Sequence, residues 1–121
     1  MAIDGIWTGE ILGPYEWENS GVYILENGRI VGGNNRHYSS GTYELSGNNY
    51  SAQVSVHYYG PPRAVFSDVG QEFEISVSGT LTDDSMIEAK VVRADRPGTE
   101  VFYRMTKRRN LHSAADMSQA T

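Results

Sequence analysis

The chain has 121 residues, enough for one domain and too few for two ordinary ones. Its net charge is −5, from 10 basic and 15 acidic residues, which argues against nucleic acid as a partner because phosphate binding needs a basic surface. The absence of cysteine excludes disulfides and thiolate metal ligands. The sequence has no run of about 18 apolar residues and no leader-like start, so we expect no membrane span and a cytoplasmic location.

Thirteen glycines and eight tyrosines are typical of a β protein with many turns. Period-2 alternation of apolar and polar residues predicts eight strands and no long helix. The first strand carries Gly5-Ile6-Trp7. Its tryptophan is either an ordinary core residue or the floor of a lipocalin-type barrel, where Arg104 or Lys107 would cover it through a cation–π contact. In chain order we expect strands near 5–12, 20–26, 29–33, 41–46, 49–59, 71–81, 86–93 and 99–107.

Asn27-Gly28 is a strong hairpin signal, because both central residues of a type I′ turn need positive φ. The turn would pair Glu26 with Arg29. Glycines before and after the short apolar run that follows could suggest a phosphate-binding loop. Such a loop needs a lysine and a following helix, and the sequence has neither at this point. The segment therefore predicts a turn.

In that hairpin both faces are apolar, with Ile24 and Val31 on one side. One face can enter the barrel, and the other needs cover, which is typical of an interface. We therefore expect a homodimer. The residues predicted to contact the second protomer are Tyr23, Leu25 and Ile30.

Two later segments show the clearest alternation. From Tyr50 to Tyr58 every second residue is apolar, and the pattern repeats from Phe73 to Leu81. These apolar positions predict an interior that is either filled by side chains or holds a small apolar ligand. The predicted lining residues are Tyr50, Val54, Val56, Phe73, Ile75 and Val77.

The predicted connections alternate in length. Long ones at 13–19, 34–40, 60–70 and 94–98 alternate with short ones at 26–28, 46–48 and 82–85. Consecutive connections of an up-and-down meander lie at opposite ends, so the alternation predicts one loop-rich end and one tightly turned end. We therefore expect an all-β fold: one eight-stranded, antiparallel, up-and-down barrel over 1–109, followed by a flexible tail over 110–121.

Aromatic residues occur in the predicted long connections. Such side chains offer a large contact area with a polar handle, although they could equally pack down as a lid over the core. If a ligand or partner enters the barrel, we expect it to do so at this end. The residues concerned are Tyr15, Trp17, His37, Tyr38 and Phe66.

The sequence offers few candidates for catalysis. The three histidines, His37, His57 and His112, are scattered, and none has metal-ligand spacing. His57 could meet Glu72 or Glu74 across neighbouring strands, but that face reads as solvated, so a surface pair is favoured over an acid–base couple. We therefore predict no catalytic residue, no metal site and no cofactor.

The order and spacing of several short motifs resemble the GrlR-like family over most of residues 4–107. The motifs are Asp4-Gly5-Ile6-Trp7, Gly21-Val22, Asn27-Gly28, Gly32-Gly33, Tyr38 and Gly41-Thr42-Tyr43, with weaker matches at Val54 to His57, Ala64-Val65-Phe66 and Gly79. Members of that family are small, lipocalin-like, eight-stranded barrels that dimerise. The named member represses type III secretion genes by sequestering a transcription activator.

The resemblance implies a negative regulator that binds protein and performs no chemistry of its own. Two departures concern the partner. Asn34 stands where the family commonly has an acidic residue, and Ser46-Gly47-Asn48-Asn49 stands where the repressor has a strongly acidic hairpin. Two other classes stay open: a carrier or sensor of a small apolar ligand, and a barrel enzyme such as a cyclase or isomerase.

Overall fold

Eight antiparallel strands form a closed barrel in the computed structural model, which describes residues 3–60 and 72–111. Each strand pairs with the next along the chain, and the last pairs with the first. The predicted eight-stranded up-and-down barrel is confirmed, and the described residues contain no helix. The strands are β1 (Gly5–Leu12), β2 (Trp17–Glu26), β3 (Arg29–Gly33), β4 (His37–Ser46), β5 (Asn49–Tyr58), β6 (Glu72–Asp83), β7 (Met86–Arg93) and β8 (Arg96–Arg109).

The β2–β3 hairpin has the predicted register. Glu26 pairs with Arg29 across the turn, and Ile24 pairs with Val31 further along the strands. Asn27 and Gly28 have φ values of 51° and 80°, as a type I′ turn requires. This turn and the two-residue turns 47–48 and 84–85 lie at one end of the barrel, which we call the closed end.

The predicted inward parity of β5 and β6 is also confirmed. Tyr50, Ala52, Val54, Val56 and Tyr58 are all buried, and the residues between them are exposed or half-buried. On β6, Phe73 and Val77 are buried, while Ile75 and Leu81 pack against the core from partly buried positions. One side chain in two therefore points into the barrel, because successive residues of a strand face opposite sides of the sheet.

The other end, which we call the loop end, differs from the prediction. Three strands begin earlier than expected, so β2 starts at Trp17, β4 at His37 and β8 at Arg96. Three of the four connections shrink as a result, to 13–16, 34–36 and 94–95, and the last is as short as the closed-end turns. Only the β5–β6 connection is long, and its residues 61–71 lie outside the described residues.

Local hydrogen bonds explain the compact loops. The Asn34 side-chain oxygen accepts hydrogen bonds from the backbone N–H groups of Arg36 and His37, at 2.7 and 3.1 Å. An asparagine that bonds the backbone two or three residues ahead forms a tight turn by itself. The polar segment at 37–40 can then join β4 instead of extending the loop.

Trp7 is an ordinary core residue in its contacts. It is fully buried, and its indole N–H donates to the backbone oxygen of Ile3 at 2.9 Å. Lys107 is its cross-strand neighbour on β8. The cation–π contact predicted for Arg104 forms with a different tryptophan, because the Arg104 guanidinium lies 4.1 Å from the Trp17 ring.

Strand β8 ends at Arg109, where the barrel domain was predicted to end. The tail was predicted to begin at residue 110, and its part from 112 onward, including His112, lies outside the described residues. Within the described ranges, no helix is long and apolar enough to cross a membrane.

Candidate functional site

The barrel interior contains one cavity of about 60 Å³. All six residues predicted to line the interior do so: Tyr50, Val54, Val56, Phe73, Ile75 and Val77. Sites for drug-sized ligands usually measure about 300–1,000 Å³, so side chains fill most of this barrel. The space suits a very small ligand or a few waters, because a water takes up about 30 Å³ in the liquid.

Part of the cavity wall is polar, which the sequence did not predict. The Ser20 hydroxyl lies 3.3 Å from the Tyr23 hydroxyl and donates a longer hydrogen bond, at 3.4 Å, to that of Tyr103. Tyr23 in turn donates to the Ser20 backbone oxygen at 3.0 Å and lies 3.4 Å from Nε2 of His37. These four residues, with Ser39, put hydroxyl and imidazole groups on an otherwise apolar wall.

The glycine at position 9 makes room for this polar cluster. A Cβ atom built there would lie 2.1 Å from the Tyr103 hydroxyl and 2.7 Å from that of Ser20. The missing side chain lets the Tyr103 phenol reach into the barrel. Burial raises the pKa of Tyr103 well above its ordinary value, because the interior disfavours the phenolate. The phenol therefore stays neutral and keeps its proton for hydrogen bonding.

Aromatic and cationic groups line the loop end of the interior on four consecutive strands. The His37 ring on β4 lies 5.4 Å from the Tyr58 ring on β5, and Tyr58 lies 6.0 Å from Phe73 on β6. The Arg93 guanidinium on β7 stacks over Phe73 at 4.3 Å.

The residues predicted as contacts at the loop end have different surroundings. Tyr15 is almost fully exposed and Tyr38 is exposed, so both are accessible from outside. Trp17 is half-buried on β2 under Arg104, which is itself held by Glu10 at 2.8 Å, and is not in a loop. His37 is buried inside the barrel, because β4 begins there and turns it inward. Phe66 lies outside the described residues.

The residues predicted as dimer contacts are inside the barrel, so that assignment is wrong. Tyr23, Leu25 and Ile30 are all at most 6% exposed in this single chain. A side chain buried in the core of its own barrel cannot also pack against a second protomer. The opposite parity of the hairpin faces outward instead, as shown by the exposure of Ile24 and Val31.

Several large apolar side chains are exposed on one side of the outer surface. Eight large apolar side chains of the described residues are exposed, and five of these lie on neighbouring strands or next to them, at 40% to 61% exposure. Ile24 pairs with Val31, and the Tyr38 ring lies 6.3 Å from that of Tyr59. We call Val22, Ile24, Val31, Tyr38 and Tyr59 the outer apolar face.

The histidine–glutamate pair expected on the surface is present. His57 Nδ1 lies 3.2 Å from a Glu72 carboxylate oxygen, and the Glu72 side chain is largely exposed. The His57 ring also stacks on Tyr38, with centroids 4.9 Å apart. The pair therefore borders the outer apolar face and not the cavity. Among the residues that the structure describes, no three His, Asp or Glu residues are grouped as a metal ion would need.

Comparison of the sequence with models of known protein families, and with curated proteins, finds no match in either case. The GrlR-like resemblance therefore stays a prediction.

Sequence reasoning missed the buried polar residues Ser20, Ser39 and Arg93, and it placed His37 in a loop and not inside the barrel. A signal was available for Arg93, because Ile87, Ala89, Val91 and Arg93 continue one inward alternation along β7. For Ser20, His37 and Ser39 no comparable signal exists, because polar segments next to glycine and asparagine are typical of loops.

Proposed function

We propose that this chain is a non-enzymatic regulatory protein of the cytoplasm that acts by binding another protein, and that it does so as a homodimer. The resemblance to GrlR-like regulators motivates this proposal. The observation that carries it is the outer apolar face, because contiguous exposed apolar surface is typical of interaction sites.

Closure of the barrel limits how a partner can bind. Each strand has a neighbour on both sides, so most of the described barrel offers no free strand edge to the backbone of another chain, although residues 96–102 of β8 pair only with β7. We therefore expect contacts to be made mainly by side chains on the outer faces or at the ends. Val22, Ile24 and Val31 form the aliphatic part of the outer apolar face on β2 and β3, and we expect this part to pack against the same face of a second copy.

The aromatic part of the face suits a different contact. Tyr38 and Tyr59 are stacked and exposed near the loop end, and Tyr15 stands free in the first loop. Tyrosine is enriched among the residues that dominate binding energies, because it combines apolar area with a hydroxyl group. We assign the protein partner, a transcription regulator by the resemblance, to this aromatic part.

Sedimentation tests the dimer. Val31→Glu places a charge at the centre of the proposed interface, and we expect it to convert a micromolar dimer to monomer with unchanged far-UV circular dichroism. Ser76→Glu adds the same charge on the outward face of β6 and should leave the dimer intact. A monomeric wild-type protein at these concentrations would contradict the dimer.

Affinity capture from the host tests the partner. The proposal requires a transcription regulator to co-purify with the wild-type protein and with Ser78→Asp, and to be lost with Tyr38→Asp. Both changes add a carboxylate at an exposed strand position, so Ser78→Asp controls for the added charge, while Tyr38→Asp also removes the ring that stacks on His57 and Tyr59. A regulator retained equally by both variants would exclude the aromatic part as its binding site.

A carrier or sensor of a small ligand is the second candidate, favoured by the cavity of about 60 Å³ that the six predicted interior residues share. Its size restricts the ligand to a few non-hydrogen atoms unless the barrel opens. A small molecule released on denaturation of the purified protein, with no captured regulator, would favour this candidate over the first.

A further inference from the structure

Arg93 is a cation inside the loop end of the barrel. Only 5% of the residue is exposed, although a guanidinium stays charged at any ordinary pH. Burial of a charge costs free energy unless the group is paired and its N–H groups are bonded. The partners of Arg93 therefore decide whether the position is purely structural.

The known partners of Arg93 use only part of its hydrogen-bonding capacity. One terminal nitrogen, Nη2, donates to Asp95 at 2.7 Å, and the ring of Phe73 covers one face. The Nε–H is buried and has no acceptor among the residues that the structure describes. Asp95 is 61% exposed at the side chain and sits in a two-residue turn, so water competes for its carboxylate. A single exposed carboxylate is a weak and replaceable partner for a buried guanidinium.

Arg93 also stands at the rim of the cavity. Its cross-strand neighbour Ile75, its neighbour on the same face of β7, Val91, and its stacking partner Phe73 all line the cavity. A molecule whose carboxylate pairs with this guanidinium would therefore have its remaining atoms beside these apolar walls.

The other polar groups of the described interior carry no negative charge that would oppose an anionic ligand. The described residues that line the cavity include no carboxylate, whereas Ser20, Tyr23 and Tyr103 supply neutral hydroxyls. All the Asp and Glu residues on the described strands are exposed or half-buried. The interior of the described barrel therefore combines one buried cation with neutral hydroxyl groups.

We propose that the loop end of the barrel binds a small organic carboxylate, whose carboxylate pairs with Arg93 in place of Asp95 and whose short apolar tail occupies the cavity. A volume of about 60 Å³ suits a tail of about two or three carbon atoms, since water takes up about 30 Å³ and benzene occupies an engineered cavity of about 150 Å³. This site is independent of the outer apolar face, so either proposal can fail alone.

Butyrate and butyramide are the probes, because they have nearly the same shape and differ in charge. The NMR methyl signals of Val91 and Ile75 follow the titration. Butyrate should bind at least tenfold more tightly than butyramide, a difference in binding free energy of about 1.4 kcal/mol. Formate, which lacks the tail, should bind more weakly than butyrate. Equal binding of butyrate and butyramide, or of butyrate and formate, would overturn the proposal.

Variants separate the head and tail contacts. Arg93→Gln should weaken butyrate binding at least tenfold, while Arg108→Gln, the same change at an exposed residue of β8, should leave it unchanged. Ala52→Val fills the cavity and should weaken butyrate but not formate. If Ala52→Val leaves butyrate binding unchanged, the tail does not occupy the cavity and the proposal is wrong.

If Arg93→Gln fails to fold, Asp95→Asn tests the pairing of the ligand with Arg93 by another route. The change leaves Arg93 in place and removes the competing charge, so butyrate should bind at least threefold more tightly. Unchanged or weaker binding in this variant would mean that Asp95 does not compete with the ligand, and it would overturn the exchange on which the site depends.

Discussion

The two halves of the barrel interior are built differently. The largest fully buried side chains, Ile3, Trp7, Leu25, Ile87 and Met105, all belong to the half toward the closed end. All four buried polar or charged residues among the described ones, Ser20, His37, Ser39 and Arg93, belong to the half toward the loop end. The first half holds the largest buried apolar side chains, and the second holds the buried polar groups, while residues of both halves line the cavity.

We expect the closed-end half to supply most of the stability and the loop-end half to serve binding. Apolar burial at the closed end supplies free energy of folding, since each fully buried aliphatic side chain contributes about 1.5–3 kcal/mol. Polar groups that make hydrogen bonds of 3.3 and 3.4 Å add much less, because such bonds are near the upper limit of length. We therefore expect the polar side chains of the loop-end half to contribute less to stability than the apolar side chains of the closed-end half.

The largest expected difference between the halves is in the stability lost when an isoleucine is replaced by alanine in each half. Ile87→Ala should lower the free energy of unfolding by about 4 kcal/mol, because Ile87 is fully buried at the closed end. Ile75→Ala should cost about 2 kcal/mol, because Ile75 is partly buried and already borders the cavity. Urea denaturation measures both values, and equal costs would show that the halves pack alike.

A smaller effect is expected where the halves meet. Gly9→Ala should cost about 2 kcal/mol, because the new Cβ would overlap the Tyr103 hydroxyl. Tyr103→Phe removes that oxygen, so the double variant should lose less than the two single changes together. Gly98→Ala is the control, since a Cβ built there has no atom within 4 Å. Additive losses in the double variant would mean that the polar cluster does not depend on Gly9.

The sequence was informative where patterns were strong and local. The Asn27-Gly28 turn determined the hairpin register, and the alternation from Tyr50 to Tyr58 determined the inward face of β5. The sequence did not show which faces of β2 and β3 point inward, because neighbouring residues such as Ile24 and Leu25 are both apolar. Which of them faces inward depends on closure of the barrel with β1 and β4, which no local pattern encodes.

The loop-end half could not be predicted for a related reason. The His37–Ser40 segment is polar and reads as a loop, yet pairing with β3 and β5 makes it part of a strand. Tertiary pairing therefore overrode local propensity. The buried polar residues follow from that pairing, because a strand that begins at His37 turns both His37 and Ser39 inward.

Alkaline pH should weaken both halves through their tyrosines. Burial raises the pKa of Tyr50 and of Tyr103 in the folded protein, so the stability from each neutral phenol is complete below the unfolded pKa of about 10. It is lost as pH rises above about 10 toward the folded values, at about 1.4 kcal/mol per pH unit for each proton. Urea denaturation between about pH 9 and 11 measures this slope.

Phenylalanine variants assign the slope to the two tyrosines. Tyr50→Phe and Tyr103→Phe should each make the pH dependence less steep by about one proton. The residues lie in different parts of the interior, with Tyr50 next to the closed-end turn at 47–48. A slope that neither variant changes would mean that other groups cause the alkaline loss.

The smallest expected effect is the change in stability when an alanine is replaced by valine, which we expect to have opposite signs at two positions. Ala52→Val adds two methyl groups that face the cavity, and we expect a gain of about 0.5 kcal/mol from apolar burial. Ala89→Val adds the same groups where the Ala89 side chain already lies against Gly79, and we expect a loss of about 1 kcal/mol from overpacking. Thermal melts compare the two variants with the wild type. A loss at both positions would mean that the cavity cannot accept a branched side chain, and the interior next to Ala52 would then be as tightly packed as that next to Ala89.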